Sequence, residues 1–172
     1  IVATRPAAPT GVTPTASAGQ VSVAFIAPSN NGGSAITGYT VTATSADSGA
    51  TSPVALAGTA SPIVVTGLTS GKSYTFTVTA SNVLGAGTAT SASAAVTAYN
   101  AATQLVLTTN AATAASGSAF TTQPVVQIQD AAGTKVANSS QQVTMTVNNS
   151  GTVVGTSTVT ASSGVATFNN VG

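Results

Sequence analysis

From Gly67 to Asn82 the chain reads Gly-Leu-Thr-Ser-Gly-Lys-Ser-Tyr-Thr-Phe-Thr-Val-Thr-Ala-Ser-Asn. Beyond the turn bounded by Gly67 and Gly71, Tyr74, Phe76, Val78 and Ala80 alternate with Thr75, Thr77, Thr79 and Ser81. Successive side chains of a strand point to opposite faces, so this pattern specifies a strand with one face in a core and the other in water. Whatever precedes it must supply strands that pair with it or pack across from it.

The preceding residues do so. Val12 to Ala16 reads as a strand that Pro14 confines to a sheet edge, because proline has no N–H for a central ladder. Gln20 to Ala27 alternates Val21, Val23 and Phe25 with smaller residues and is ended by Pro28. Ser29 to Ser34 is a turn on residue chemistry alone. Ile36 to Ser45 sets Tyr39, Val41 and Ala43 on one face, Val54 to Leu56 is a short strand, and Ser61 to Thr66 carries Ile63 and Val65 inward. After the opening stretch, Asn82 to Gly87 is expected as a loop and Ala92 to Ala98 as a last strand. Short strands with regular turn signals and no helical period predict an antiparallel β-sandwich, with Phe25, Tyr39, Phe76 and Val78 in its core.

Residues 6–99 resemble a fibronectin type III domain of the bacterial extracellular kind. The resemblance rests on Ala8-Pro9-Thr10-Gly11-Val12 at entry, on Pro28 followed by Asn31 to Tyr39, and on Asn82-Val83-Leu84-Gly85-Ala86-Gly87. It rests also on Leu68, Gly71 and Tyr74, which match the family's tyrosine corner. The resemblance implies that the Tyr74 hydroxyl bonds back to the connection preceding it. Phe25 stands where the family usually has a core Trp, which thins the core without changing the fold. The Arg-Gly-Asp tripeptide by which some members bind cells is absent from the Asn82 to Gly87 loop.

From residue 100 the strand pattern restarts, in Gln104 to Thr108, Phe120 to Asp130, Gln141 to Val147, Thr152 to Thr160 and Gly164 to Phe168. Residues 100–172 resemble the immunoglobulin-like repeats of large bacterial surface proteins, through Pro124 to Asp130 with Gly133 and Gly155-Thr156 with Gly164 to Phe168. Such repeats continue beyond the last of these strands, so the second domain is expected to lack its final strands and to leave an open edge near Val171 and Gly172. Residues 1–5 read as the closing strand of a preceding domain or as a linker. Two explanations stay open: the chain is cut from a longer tandem array, or a neighbouring subunit completes it by strand addition. The fold expected is therefore all-β, two tandem Ig-like sandwiches with the second incomplete.

Charged residues make up 3% of the 172, namely Arg5, Asp47, Lys72, Asp130 and Lys135. Three cations give no basic patch, which argues against nucleic acid as a partner. Ser, Thr, Gly, Asn or Pro interrupts each apolar run well short of the roughly 20 residues of a membrane helix, so membrane insertion is not expected. Abundant Val and Thr argue against disorder. A surface without like charges lacks the repulsion that keeps copies apart.

The chain contains no His, Cys or Glu, so no His-based triad, thiol nucleophile or common metal set is expected, and no cofactor. Asp47 and Asp130 fall in different domains beside turn glycines and are expected to support those turns. A Ser-Lys pair at Lys72-Ser73 falls on a turn, and Lys72 and Lys135 are poor candidates for a Lys–Asn cross-link in polar turns. Asn138-Ser139-Ser140 and Asn148-Asn149-Ser150 fit the N-glycosylation triplet, as chance allows in an Asn- and Ser-rich chain. Tyr39, Tyr74 and Phe76 would form a carbohydrate platform only if exposed, and their alternation places them inside. Tyr99 is expected at the domain junction. Leu84, at a loop tip, and Val171, at the unfinished edge, are the candidates for apolar contact.

These readings converge on a non-catalytic structural or adhesive segment of an extracellular bacterial surface protein: a spacer, stalk or filament subunit. Its partners would be other domains or copies of itself, meeting through β-edges or end to end. The competing class is an accessory or carbohydrate-binding module of a secreted polysaccharide-degrading enzyme, with a glycan as partner.

Overall fold

The computed structural model describes residues 2–146 and 152–172. Ile1, the end of the strand expected over Gln141 to Val147, and the Asn148-Asn149-Ser150 triplet lie outside the described residues. The chain divides into two units, Ile1–Asn100 and Ala101–Gly172. Among the described residues the only regular structure is β-strand.

The first unit is a sandwich. One sheet has the order β1 (Thr10–Ser17), β2 (Gln20–Ile26), β5 (Ile63–Thr66). The other runs β4 (Val54–Gly58), β3 (Gly38–Thr44), β6 (Ser73–Asn82), β7 (Gly85–Ala89), with β8 (Val96–Thr97) also on β6. The pairing keeps the apolar residues of neighbouring strands on one face. Tyr39 pairs with Ala80, Val41 with Val78 and Ala43 with Phe76 on the inner face of β3 and β6, while Val21 pairs with Val65 and Val23 with Ile63 in the facing sheet. These residues form one buried cluster with Phe25 and Tyr74. Phe25 packs on Tyr39 with ring centroids 4.8 Å apart and planes inclined by 54°, which gives the smaller ring a tilted aromatic partner. On the wet face the same register aligns Thr40 with Thr79, Thr42 with Thr77 and Thr44 with Thr75.

The last strand departs from expectation. The loop read from sequence over Asn82 to Gly87 overlaps strand β7, which begins at Gly85, and of Ala92 to Ala98 only β8 is strand. Between these pieces the chain still follows β6, with hydroxyls standing in for ladder carbonyls. Val78 N–H donates to Thr90 Oγ1 at 3.1 Å and Phe76 N–H to Ser93 Oγ at 3.0 Å. In return, Thr90 N–H donates to the Val78 carbonyl and Ser93 N–H to that of Phe76, both at 3.0 Å. Side-chain alternation does not announce this pairing, because it runs through the hydroxyls of Thr90 and Ser93 as well as the backbone.

Residues 2–5 are bonded to the first unit. They form no strand, and Thr4 N–H donates to the Gly32 carbonyl at 2.7 Å, followed by Ala7 N–H to that of Asn30 at 3.0 Å. Two glycines admit this segment: a Cβ on Gly32 would lie 2.1 Å from the Thr4 carbonyl oxygen, and one on Gly87 would lie 2.0 Å from that of Pro6.

The second unit contains a sheet of order β13 (Val165–Thr167), β10 (Val125–Gln129), β9 (Gln104–Thr109) and a pair, β11 (Gln142–Thr144) with β12 (Thr158–Thr160). Ile128, Val136, Val143, Ala161, Ala166 and Phe168 are buried in it. Val171 belongs with them and is not an edge residue: it is fully buried. Its N–H donates to Gln123 Oε1 at 2.9 Å and its carbonyl accepts Phe120 N–H at 2.7 Å. Gly172 exchanges both backbone bonds with Val154, at 2.7 and 3.1 Å. β9 and β13 are the two terminal strands of their sheet, on opposite sides of β10, and among the described residues no strand pairs with the outer side of β9.

Candidate functional site

Strand β6 is pinned at both ends. At its start Tyr74 is fully buried. Its hydroxyl accepts Thr69 N–H at 3.0 Å and donates to the Thr51 carbonyl at 3.2 Å, so the corner ties both the preceding turn and the connection before β4. Leu68 is half-buried against the core, and Gly71, at φ 78°, donates its N–H to the Ala98 carbonyl at 2.8 Å. Asp47 does more than brace its own turn: its Oδ2 accepts the N–H of Ser73, 26 residues away, at 2.7 Å. Ser73 thus contributes a backbone donor here.

At its far end β6 closes on Asn82, whose side chain is buried. Nδ2 donates to the Thr4 carbonyl at 2.7 Å and to the Asn31 carbonyl at 3.0 Å, and Oδ1 accepts Leu84 N–H at 2.9 Å. One amide therefore gathers the entry segment, the Asn30–Gly33 turn and the β6–β7 turn into a single pole. Asn82 continues the inward stripe of Tyr74, Phe76, Val78 and Ala80. That period was the signal that could have marked it as a core residue, and its polar side chain obscured the signal.

This pole presents apolar side chains. Leu84 is 45% exposed, as a loop-tip residue should be, but its neighbour Val83 is 76% exposed and Val2 is 89% exposed. Arg5, exposed, lies beside them, its Nε 3.7 Å from where a Gly85 Cβ would stand. The other candidates lie elsewhere. Phe25, Tyr39, Phe76 and Val78 are buried with Tyr74, so none offers an aromatic face to a sugar. Tyr99 is tied to the β1–β2 hairpin of its own unit, through its hydroxyl to the Ala16 carbonyl at 3.3 Å and its carbonyl to Gly19 N–H at 2.8 Å. Asp130 is buried, and its Oδ1 accepts the N–H groups of Ala132 at 3.0 Å and Thr134 at 2.9 Å. Asn138 is exposed on a turn and Lys135 is exposed. Among the described residues no three His, Cys, Asp or Glu side chains cluster.

The second unit carries an open groove of about 550 Å³, lined by Ala102, Gln104, Leu105, Ile128, Gln142 and Val143 among others. Leu105 and Leu107, on β9 beside it, are 58% and 50% exposed. Neither leucine was singled out from sequence, because Gln104-Leu-Val-Leu-Thr-Thr109 reads equally well as a half-buried strand.

Two facing antiparallel sheets closed by a tyrosine corner define the first unit as an immunoglobulin-like β-sandwich module. A model of the fibronectin type III domain matches residues 7–97, and the chain belongs to that family. Among solved structures, a multidomain crystal structure from titin is similar to it at 27% identity and TM-score 0.50 over 55% of this chain. The kinase region of twitchin from C. elegans is similar at 26% identity and TM-score 0.51 over 56% of this chain. The match spans only 32% of the titin chain and 17% of the twitchin chain. No curated protein matches the chain. A domain of this family fits a structural or adhesive module.

Proposed function

We propose that this chain is a structural or adhesive segment of an extracellular bacterial surface protein, acting as spacer, stalk or filament subunit and not as a catalyst. The observation that carries this reading is the direct succession of two compact all-β units, the first cross-tied at both ends of its central strand. Such modules hold distance and present loops and edges, while their chemistry is confined to contact. The absence of His, Cys and Glu from the sequence supports a non-catalytic role. The second unit is read as an immunoglobulin-like repeat on the sequence resemblance, and a secreted setting follows from both resemblances.

The test uses antibodies against the chain on intact bacteria that produce the parent protein, together with a glycan array. Labelling of intact cells with no retained glycan is the expected result. Labelling only after permeabilisation overturns the surface placement, and saturable binding of one glycan class transfers the chain to the accessory-module reading.

A further inference from the structure

We propose that β9 is a homotypic docking edge, through which two copies of this chain join antiparallel into one continuous sheet. The proposal rests on the structural-module reading above and assigns the strand by which such a module meets its copy. β9 is the last strand of the sheet β13-β10-β9. Its partner Ile128 directs its N–H to the Gly164 carbonyl and its carbonyl to Val136 N–H, at 2.8 and 3.0 Å, away from β9. In an antiparallel pair whose members face away from each other, the opposite residue also turns its polar backbone outward. Leu105 is that residue, and Leu107, two along, has the same orientation. The free edge therefore presents two N–H and two C=O groups from consecutive outward positions.

The groove beside β9 defines what must arrive with the backbone. Leu105 and Ile128 share the face that looks toward Val143, and the groove opens where the sheet ends. An incoming strand must match the outward backbone groups and also place apolar side chains at alternate positions on the groove side. β9 itself meets both demands. With Val106 on the twofold axis, Leu105 pairs with Leu107 of the second copy and Leu107 with Leu105 of the second copy. Each pair exchanges two hydrogen bonds, and the four leucines lie on one face.

Nothing charged guards this edge against a second copy. Natural edges are guarded by charged residues, proline or bulges, and Gln104–Thr109 has no charge and no proline. Its one irregularity against β10 falls between the pairs of Leu107 and Thr109, beyond the outward positions. The 101–172 sequence contains only Lys135 and Asp130 as ions, and Asp130 is buried, so two edges meet without repulsion.

Sedimentation velocity on the full chain over a wide concentration range tests this, with Leu105→Lys and Leu105→Pro beside the parent. Proline at an outward position removes an edge donor and leaves the ladder to β10 intact. The expected result is a concentration-dependent dimer that both substitutions weaken more than about tenfold by removing the paired leucine and the edge bonds, and that Leu84→Lys leaves unchanged. Circular dichroism verifies that each variant is folded. If a variant fails to fold, competition by a Gln104–Thr109 peptide against parent dimer replaces it, with dissociation expected. A parent chain that stays monomeric throughout overturns the proposal while leaving the spacer reading intact, and a dimer indifferent to these changes and to the peptide also overturns it.

Discussion

Asn82 Nδ2 donates to the carbonyl of Thr4 at 2.7 Å, joining residues 78 apart in sequence. The bond closes the sandwich at one pole as Tyr74 closes it at the other. A buried amide with its donor and acceptor satisfied is stabilising, and one that loses its partners is costly.

Replacing Asn82 by Ala leaves Leu84 N–H and the Thr4 and Asn31 carbonyls without their partner. The first unit is expected to lose about 2–4 kcal/mol in urea unfolding. Hydrogen exchange should accelerate at residues 4–7 and 31–33 before it does in β3. A loss confined to global stability, with no local acceleration, would show that the amide does not hold the pole.

Tyr74→Phe keeps the buried ring and deletes the two hydroxyl bonds, to Thr69 N–H and to the Thr51 carbonyl. Denaturant unfolding should register a loss of about 1–2 kcal/mol. Tyr74→Ala, which also empties the site, should cost about 3–5 kcal/mol. Equal costs for the two would mean that the hydroxyl carries the whole effect.

Thr90→Val and Ser93→Ala remove the hydroxyls that receive the N–H groups of Val78 and Phe76. Each should destabilise the first unit by about 1 kcal/mol. Because both support one strand edge, measured coupling in the double variant is the expected sign of a shared ladder.

Gly87→Ala places a methyl 2.0 Å from the carbonyl oxygen of Pro6. Backbone must move, and the expected outcome is release of the entry segment, read as faster hydrogen exchange at Thr4 and Ala7, whose N–H groups donate to Gly32 and Asn30. The cost in stability should be about 1–3 kcal/mol. Gly87 is not among the glycines at positive φ, so this cost is one of space alone, without left-handed backbone strain.

The inward stripe of β6 was legible because period-2 alternation and burial in a sandwich are the same statement in two languages. Tyr74, Phe76, Val78, Phe25 and Tyr39 are all found inside. The Tyr74 corner was legible through a family resemblance, whereas its two partners were not, since Thr51 and Thr69 are ordinary loop residues until the fold juxtaposes them. Val171 shows the opposite failure. Read as an exposed end from its place in the chain, it is buried because the segment after Phe168 returns to Gln123 and Phe120.

Local alternation, turn glycines and the scarcity of ions thus determined by themselves that the chain is all-β and which faces of its central strand are dry. Tertiary structure alone decided that Asn82 is a hub and that Val171 is buried. Each depends on backbone groups that meet across long sequence separations, and side-chain period carries no information about where an N–H or a carbonyl finds its partner.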